Sequence, residues 1–424
     1  MNRVFPVSPR TVSRRRGAVA AMVALLLIPL LAFVAFCVDV GWMTSTKSEL
    51  QNAADSAAMA GSRQLVDNYG AYSKAPAAKR AGLISTAQSA ASTYSQRFSK
   101  NNEAGGVNGL ELLTKDIQIG FTDAAGTFYA SSARSDYPNT VQVLERRDSE
   151  ANSRLKFLFA PAIGRRDTAL TATASATIYT GMITSFGPSG NSGGVSSGGS
   201  GGAWGDDYWS DGSGFNCSLL PVAFDVNTWS RFMDTNASPD GLIYSDSAGM
   251  PEIHIYPSPQ QAPGNFGLLC IGPPTNATPD FSKWILNGPS VSDLRYLTGC
   301  SSYPVSTDSP RPWKGTPGLR NTLKSDFAAI IGQPRLLPLF KPASTNPYQA
   351  ASGSGSNASY NIVGFAGVMV TRVTGNGGNL DISVQPCSVL DPTAVFDPAT
   401  IYPAGAEPTG RLKTFTFVSP KLSF

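Results

Sequence analysis

Apolar positions are concentrated near the start of the chain. Residues 17–38 contain no charged side chain and consist mostly of Ala, Val, Leu, Ile and Phe. As a helix this run is roughly 33 Å long at about 1.5 Å per residue, enough to cross a hydrocarbon core of about 30 Å. The pattern therefore predicts a membrane-spanning helix that contains Pro29, and the uncharged run ends at Asp39.

Charge on the two sides of this run predicts its orientation. Five arginines and no acid precede it, namely Arg3, Arg10, Arg14, Arg15 and Arg16. Cytoplasmic flanks carry the excess of basic residues, so we expect the N-terminus inside and the bulk of the chain beyond the membrane. The net charge is +4, which leaves −1 once these five are subtracted. The body of the chain is therefore not basic, and no nucleic acid is expected as a partner.

Processing of the N-terminus stays open. A cleaved secretory signal would have an apolar region of about 7–15 residues, shorter than this run. A prepilin-type cut after Gly17 usually goes with Glu five residues further on, and Met22 stands there.

After the run, apolar positions recur at helical spacing, and most of them are small. They are Leu50, Ala53, Ala54, Ala57, Ala58, Gly61 and Leu65. Small side chains allow a second helix to approach closely, which would suit packing against sister helices. The alternative is an amphipathic helix that lies on its own domain.

Alternating patterns then predict an α+β fold. The middle of the chain should have helices at 81–99 and 154–163 and strands at 116–121, 127–130, 141–145 and 167–179. The distal part should have strands at 219–225, 252–256, 267–271, 335–340, 360–372, 380–385 and 412–418, and helices at 282–287, 291–298 and 319–331. Because strands outnumber helices there, we expect a mainly antiparallel sheet.

Composition divides the chain into five segments. They are a basic tail (1–16), a transmembrane helix (17–43), an exported α+β domain that begins with the extended helix (44–185), a Gly/Ser-rich linker (186–214) and a distal α+β domain (215–424). Cys217, Cys270, Cys300 and Cys387 all fall in the distal domain, and an even count in an exported unit predicts two disulfides. We favour the pairs Cys270–Cys300 and Cys217–Cys387. Zinc ligation would need shorter spacings between the cysteines.

The chain is poor in residues that carry chemistry. Its single histidine, His254, should lie on a solvated strand face beside Glu252, and no nucleophile motif accompanies it. We expect no catalytic residue, no cofactor and no metal site, although Asp206, Asp207 and Asp211 form an acidic cluster in the linker. Asp39 is either a boundary residue or the partner of a cation on a neighbouring helix.

Three strings in the N-terminal region carry a family resemblance. They are Arg-Arg-Gly-Ala-Val-Ala at 15–20, Val-Asp-Val-Gly at 38–41 and Ser-Glu-Leu-Gln-Asn-Ala-Ala-Asp-Ser-Ala-Ala-Met-Ala-Gly at 48–61. In this order and spacing they resemble the N-terminal module of TadE/TadG-like proteins, minor pilin-like components of the tight-adherence (Flp) pilus apparatus. Residues up to about 182 also resemble the exported part of TadG-like proteins, through 159–164 and 171–177.

The resemblance implies a non-enzymatic bacterial inner-membrane protein that works with other Tad pilus or pilin-like proteins, and with the cell wall or an outer-membrane component. The alternative is a membrane-anchored adhesin or ligand-binding protein, favoured by Trp204, Tyr208 and Trp209 in the linker. Some TadG-like proteins hold a metal through Asp-x-Ser-x-Ser. Here Asn227 and Trp229 replace the two serines after Asp225, so we expect a strand end and a helix start instead.

Overall fold

The computed structural model describes residues 16–131, 136–186, 217–235, 243–245, 250–256, 267–272, 278–290, 293–294, 311–317, 321–341, 358–375, 380–391 and 393–423. A long apolar helix at the N-terminus is followed by mixed helices and mainly antiparallel sheets, which confirms the α+β prediction. The basic tail up to Arg15 and the linker at 187–214 lie outside the described residues.

Two long helices open the structure. Helix α1 (Arg16–Lys74) runs without a break through Pro29 and, with 59 residues, is about 88 Å long. Helix α2 (Ala77–Lys100) returns along its distal half. α1 continues to Lys74, and the turn between the two helices is confined to Ala75 and Pro76. Pro76 favours the start of α2 here, because proline has no backbone N–H and fits well just before the first turn of a helix.

The two helices cover one face of a six-stranded sheet, which together with them forms the proximal unit. Its first four strands are β3 (Ile117–Thr122), β4 (Phe128–Ala130), β5 (Thr140–Arg147) and β8 (Leu170–Thr180). They lie in the order β8-β5-β3-β4, and all pairs are antiparallel. The inward side chains of β8 are Ala172, Ala174 and Ala176, and their small size lets α1 lie close to the sheet.

The proximal unit also contains two short two-stranded hairpins. They are β1 (Glu103–Ala104) with β2 (Val107–Asn108), and β6 (Leu155–Lys156) with β7 (Asp167–Thr168). The helix predicted at 154–163 is wrong, because the chain forms β6 and then a single 3-10 turn, Ala160–Ile163. Pro161 within the turn and Gly164 after it, at φ 88°, favour a tight turn over a longer helix.

The distal unit is built on an eight-stranded sheet. Its strands are β10 (Phe224–Asp225), β11 (Ile243–Ser245), β12 (Pro251–Tyr256), β13 (Gly267–Leu269), β14 (Arg311–Pro317), β15 (Pro334–Lys341), β16 (Ala358–Thr374) and β17 (Asp381–Pro386). The main order is β10-β15-β16-β17-β12-β11, β14 pairs with β16 and β13, and only β10 with β15 is parallel among these strand pairs.

The helices of the distal unit match the predicted positions in part. They are α3 (Val226–Thr235), α4 (Thr278–Asn287) and α5 (Lys324–Ala329), the last preceded by a 3-10 turn at Asn321–Leu323. The helix predicted at 291–298 falls largely outside the described residues.

The C-terminal segment differs from the predicted division of the chain. Strands β18 (Ala394–Phe396), β19 (Tyr402–Pro403) and β20 (Phe417–Ser423) leave the distal unit and pair with strands that precede the linker. β19 and β20 pair with β8, and β18 pairs with β9 (Ile183–Phe186). β19 and β20 therefore complete the proximal sheet, whereas β18 and β9 form a separate two-stranded sheet. Phe186, assigned to the linker, is a buried strand residue. The edge of β8 would otherwise expose unpaired backbone groups.

The two units also meet at the end of α1. A Cβ on Gly70 would lie 2.9 Å from the Ser388 nitrogen and 3.0 Å from the Cys387 Cα, so the absence of a side chain permits this contact. Nearby, Lys74 donates to the Phe232 and Met233 carbonyls of α3. One hydrophobic core is continuous through both units.

Candidate membrane anchor and juxtamembrane site

The N-terminal half of α1 stands apart from the folded units. Large apolar side chains from Met22 to Val40 are 37–73% exposed. The described part of the chain contains one helix long and apolar enough to cross a membrane, and it is this one. Arg14 and Arg15 lie outside the described residues, and only the backbone of Arg16 and Gly17 is described, at the start of α1.

Asp39 marks the end of the apolar surface and holds a loop of the same chain. Its carboxylate accepts hydrogen bonds from the backbone N–H groups of Leu158 at 2.7 Å, Phe159 at 3.1 Å and Ala160 at 2.6 Å. The side chain is therefore satisfied by three donors within its own chain, at the start of the 3-10 turn, where backbone N–H groups lack helical partners. These three donors are a role of Asp39 that the sequence did not predict, and this role is compatible with a position at the membrane boundary.

The loop that Asp39 holds connects β6 to β7, and we call residues 157–166 the juxtamembrane loop. Within it, the Phe157 N–H donates to the Arg166 carbonyl at 3.0 Å and the Arg165 N–H donates to the Ala160 carbonyl at 3.1 Å. Its side chains Leu158, Phe159 and Ile163 are 62%, 50% and 81% exposed. Sequence reasoning missed this loop because an apolar run of this length was taken for a helix. The Pro161 and Gly164 pair was the signal against it.

The small-residue face of α1 is covered by the chain itself. Leu50, Ala54, Ala57 and Ala58 are fully buried in the core that α1 forms with α2, β5 and β8. Gly61 is the tightest point of the crossing with α2, since a Cβ there would lie 2.2 Å from Ser95 Oγ. In this structure the face packs against its own domain, the second of the two interpretations left open by the sequence.

Asp225 ends a strand and starts a helix. Its carboxylate accepts from the Thr228 N–H at 2.9 Å and the Thr228 hydroxyl at 2.7 Å, which caps α3. Trp229 is buried and donates its indole N–H to the Lys413 carbonyl at 2.8 Å. The geometry fits the strand end and helix start that we expected at this motif.

His254 lies in a buried polar cluster, and the predicted solvated strand face is wrong. His254 is 6% exposed, and the side chains of Arg372 on β16 and Asp381 on β17 lie against its ring. Its Nε2 lies 2.9 Å from Asp381 Oδ1 and 3.1 Å from Arg372 Nη2. Arg372 also donates to Ser383 Oγ at 2.9 Å and lies 3.6 Å from Glu252. These opposed charges cross-link three strands of the distal sheet.

The predicted disulfide between Cys217 and Cys387 is not formed in the structure. Cys217 and Cys387 are both free thiols, and burial raises the pKa of each. Cys217 is buried beside the Pro289 carbonyl, whereas Cys387 follows β17 at the contact with Gly70. Cys300, the expected partner of Cys270, lies outside the described residues. Cys37 is exposed on the apolar part of α1.

Comparison with known proteins gives one family match. Residues 17–71 match the family model described as "Putative Flp pilus-assembly TadE/G-like". The matched segment begins with the exposed apolar part of α1 and ends close to its C-terminus, so it covers the span, Asp39 and the buried small-residue face. Searches against curated proteins and against solved structures each gave no match. The family match and the apolar helix together support a pilus-related membrane protein whose residues 17–71 are similar to the TadE/G-like family.

Proposed function

We propose that the chain is a non-enzymatic, single-pass membrane component of a Tad/Flp-type pilus assembly or secretion apparatus, and that it anchors an exported interaction domain. The observation that carries the proposal is the continuity of α1. The same helix that matches the TadE/G-like family is an exposed apolar rod in its first half and the core of the proximal unit in its second half.

This continuity gives the anchor a mechanical role. Because α1 enters the folded domain without a flexible joint, the domain is held rigidly against the end of the span. The distal unit meets α1 at Gly70 and Lys74, at the end of the helix furthest from the apolar part. A partner that binds the distal unit would therefore be held several tens of ångströms from the membrane, since 1.5 Å per residue over about 30 residues gives roughly 45 Å.

The proposed topology follows from charge. The arginines before the span favour a cytoplasmic N-terminus in the bacterial inner membrane, with both folded units in the periplasm. There the distal unit would meet pilus proteins, the cell wall or an outer-membrane component.

The test is crosslinking of the full-length protein in its native membrane, followed by affinity capture and mass spectrometry. The matched control is a chain in which residues 17–38 are replaced by an unrelated Leu/Ala span of equal length, with Arg14–Arg16 and Asp39 retained. Recovery of Tad ATPase, platform or pilin proteins by the natural chain would support the proposal. Their loss in the control would assign the association to the span.

Two results would contradict the proposal. Recovery of wall or surface ligands without any pilus protein would leave the TadE/G-like segment as an anchor alone, and the adhesin alternative would then lead. A hydrolytic activity that purifies with the full-length protein would contradict its non-enzymatic part.

A further inference from the structure

We propose that the juxtamembrane loop inserts its apolar tip into the lipid leaflet that faces the folded domain, so that the protein contacts the bilayer at a second point beside its span. This inference rests on the proposed membrane-spanning role of α1 and adds a lipid-binding surface to it. The side chains that would enter the leaflet are Leu158, Phe159 and Ile163.

Exposure singles out this loop. Outside the span, the exposed large apolar side chains in the described part of the chain include Met59, Phe98, Leu286 and Ile331, which are 37–45% exposed and scattered. The three side chains of the loop reach 50–81% and lie within six consecutive residues. Scattered apolar residues are normal on a protein surface, whereas a contiguous exposed group marks a site that another apolar phase covers.

Asp39 fixes the loop at the level of the membrane boundary. It directly follows the uncharged run, and its carboxylate binds the backbone of Leu158, Phe159 and Ala160. Phe36 and Val38, which precede Asp39 on α1, are 64% and 41% exposed, so the exposed apolar part of α1 extends along the helix to the residue that holds the loop. If α1 spans a bilayer up to this point, the loop lies in the same interfacial layer.

Charge around the tip matches a headgroup layer. Lys156, Arg165 and Arg166 flank the apolar residues and are exposed. The nearest acid on the same hairpin, Asp167, pairs with Arg154 at 2.7 Å. An apolar tip between basic side chains is the pattern of interfacial segments, in which the apolar part enters the acyl boundary and the cations meet lipid phosphates.

The loop is held in shape before any lipid binds. The Gly164 N–H donates to the Pro161 carbonyl at 3.1 Å, the two ends are joined through Phe157 and Arg166, and Asp39 fixes the turn between them. A preformed binding element loses little conformational entropy on binding, so few apolar side chains suffice.

Photocrosslinking to lipid tests the inference on the full-length protein. A benzophenone-bearing phenylalanine replaces one residue at a time in protein reconstituted into vesicles of phosphatidylethanolamine and phosphatidylglycerol. The test position is Ile163. Val34 in the span, which is 52% exposed, reports on membrane insertion, and the exposed Ala125 in the β3–β4 turn is the control at the far end of the proximal unit. Intact mass after irradiation counts lipid adducts.

We expect lipid adducts at position 163 at a yield comparable to that at position 34, and none above background at position 125. Adducts at position 34 without adducts at 163 would overturn the inference and leave the spanning role intact. A protein–protein adduct at 163 in vesicles that hold few copies would also overturn it, since the tip would then meet a second copy. Absence of adducts at position 34 would overturn both proposals.

Discussion

At the residue scale, Asp39 shows how one side chain can connect the span to the folded domain. Its position after an uncharged run suggested a boundary residue or a partner for a cation on another helix. The structure shows in addition that its carboxylate accepts hydrogen bonds from three backbone N–H groups of one loop. The carboxylate thereby couples the direction of α1 to the position of the juxtamembrane loop.

Replacing Asp39 by Asn should therefore loosen this loop. The amide side chain keeps the size of the carboxylate and removes the charge, and charge-assisted hydrogen bonds are roughly twice as strong as neutral ones. We expect faster hydrogen–deuterium exchange at Leu158, Phe159 and Ala160. Asp67→Asn, in the exposed pair with Arg63 elsewhere on α1, is the control and should leave the loop unchanged. Unaltered exchange in Asp39→Asn would show that the backbone bonds within the loop suffice.

Glu145 is a second residue whose environment predicts a measurable effect. It lies on β5 facing the helices and is fully buried, with Ser99 of α2 as a polar neighbour. Burial raises the pKa of Glu145, because the charged form loses its hydration. Between the ordinary glutamate pKa of about 4.3 and this higher value, the folded chain holds a proton that the unfolded chain has released. Stability from this group is present at low pH and is lost as pH rises through that interval.

Glu145→Gln should remove the loss of stability that accompanies the rise in pH, because the amide does not ionise. We expect the variant to unfold at a higher urea concentration than the natural protein at neutral pH, with a smaller difference at pH 4. Urea unfolding in detergent at several pH values measures it. Glu111→Gln, at an exposed position, is the control and should leave the urea concentration of unfolding unchanged at both pH values. A Gln variant less stable than the natural protein at neutral pH would indicate that the charged form is stabilised in the core.

At the scale of elements, the pairing of α1 with α2 depends on small residues at the crossing. Gly61 faces Ala91 and Ser95, and the Ser95 hydroxyl donates to the Ala57 carbonyl at 3.0 Å. The sequence showed a helix face of small residues but not the surface that would cover it. The surface that covers this face is formed by α2 and the sheet, whose residues lie elsewhere in the sequence.

Two glycine substitutions in these helices should have opposite effects. Gly61→Ala places a methyl group against Ser95 and should lower the free energy of unfolding by about 1–3 kcal/mol, the usual cost of overpacking. Gly82→Ala on α2 meets no atom within 4 Å and should raise the free energy of unfolding by about 0.5–1 kcal/mol through helix propensity. Urea unfolding of both variants checks the pair. Equal stability of Gly61→Ala and the natural protein would argue against the close crossing.

At the scale of the whole molecule, the C-terminal segment makes the two units interdependent. The chain leaves the proximal sheet, builds the distal unit, and returns to pair with β8. Phe417 on the returning strand is 1% exposed, and its ring packs edge-on against Tyr69 of α1 at 5.4 Å. Removing the distal unit at the linker would thus also remove strands from the proximal sheet.

Phe417→Ala should reveal this dependence. We expect a loss of about 3–5 kcal/mol in the free energy of unfolding, typical of a buried Phe, with faster amide exchange at residues 175–180 of β8. Phe98→Ala, at a site 40% exposed, is the control and should change both quantities little. Exchange in β8 that stays slow in the Phe417 variant would mean that the proximal sheet does not need its last strand.

Much of the fold was predictable from local pattern. Alternation at 116–121, 167–179 and 360–372 led to β3, β8 and β16, and helical spacing at 81–99 led to most of α2. The prediction that His254 is exposed to solvent was wrong, because alternation shows which face of a strand a residue lies on and not what covers that face. The prediction of a helix at 154–163 was wrong, because a short apolar run is compatible with several local structures.

The sequence by itself determined the apolar span, its arginine flank, the TadE/G-like strings and the α+β class, because these depend on composition and on spacing within one segment. Only the tertiary structure decided which surface covers the small-residue face of α1, what binds Asp39, and where residues 394–423 belong. Those outcomes depend on contacts between segments far apart in the chain, as in the bond from Leu158 to Asp39 and the pairing of Phe417 with Thr180. A local sequence pattern does not specify such contacts, because they depend on how the whole core packs.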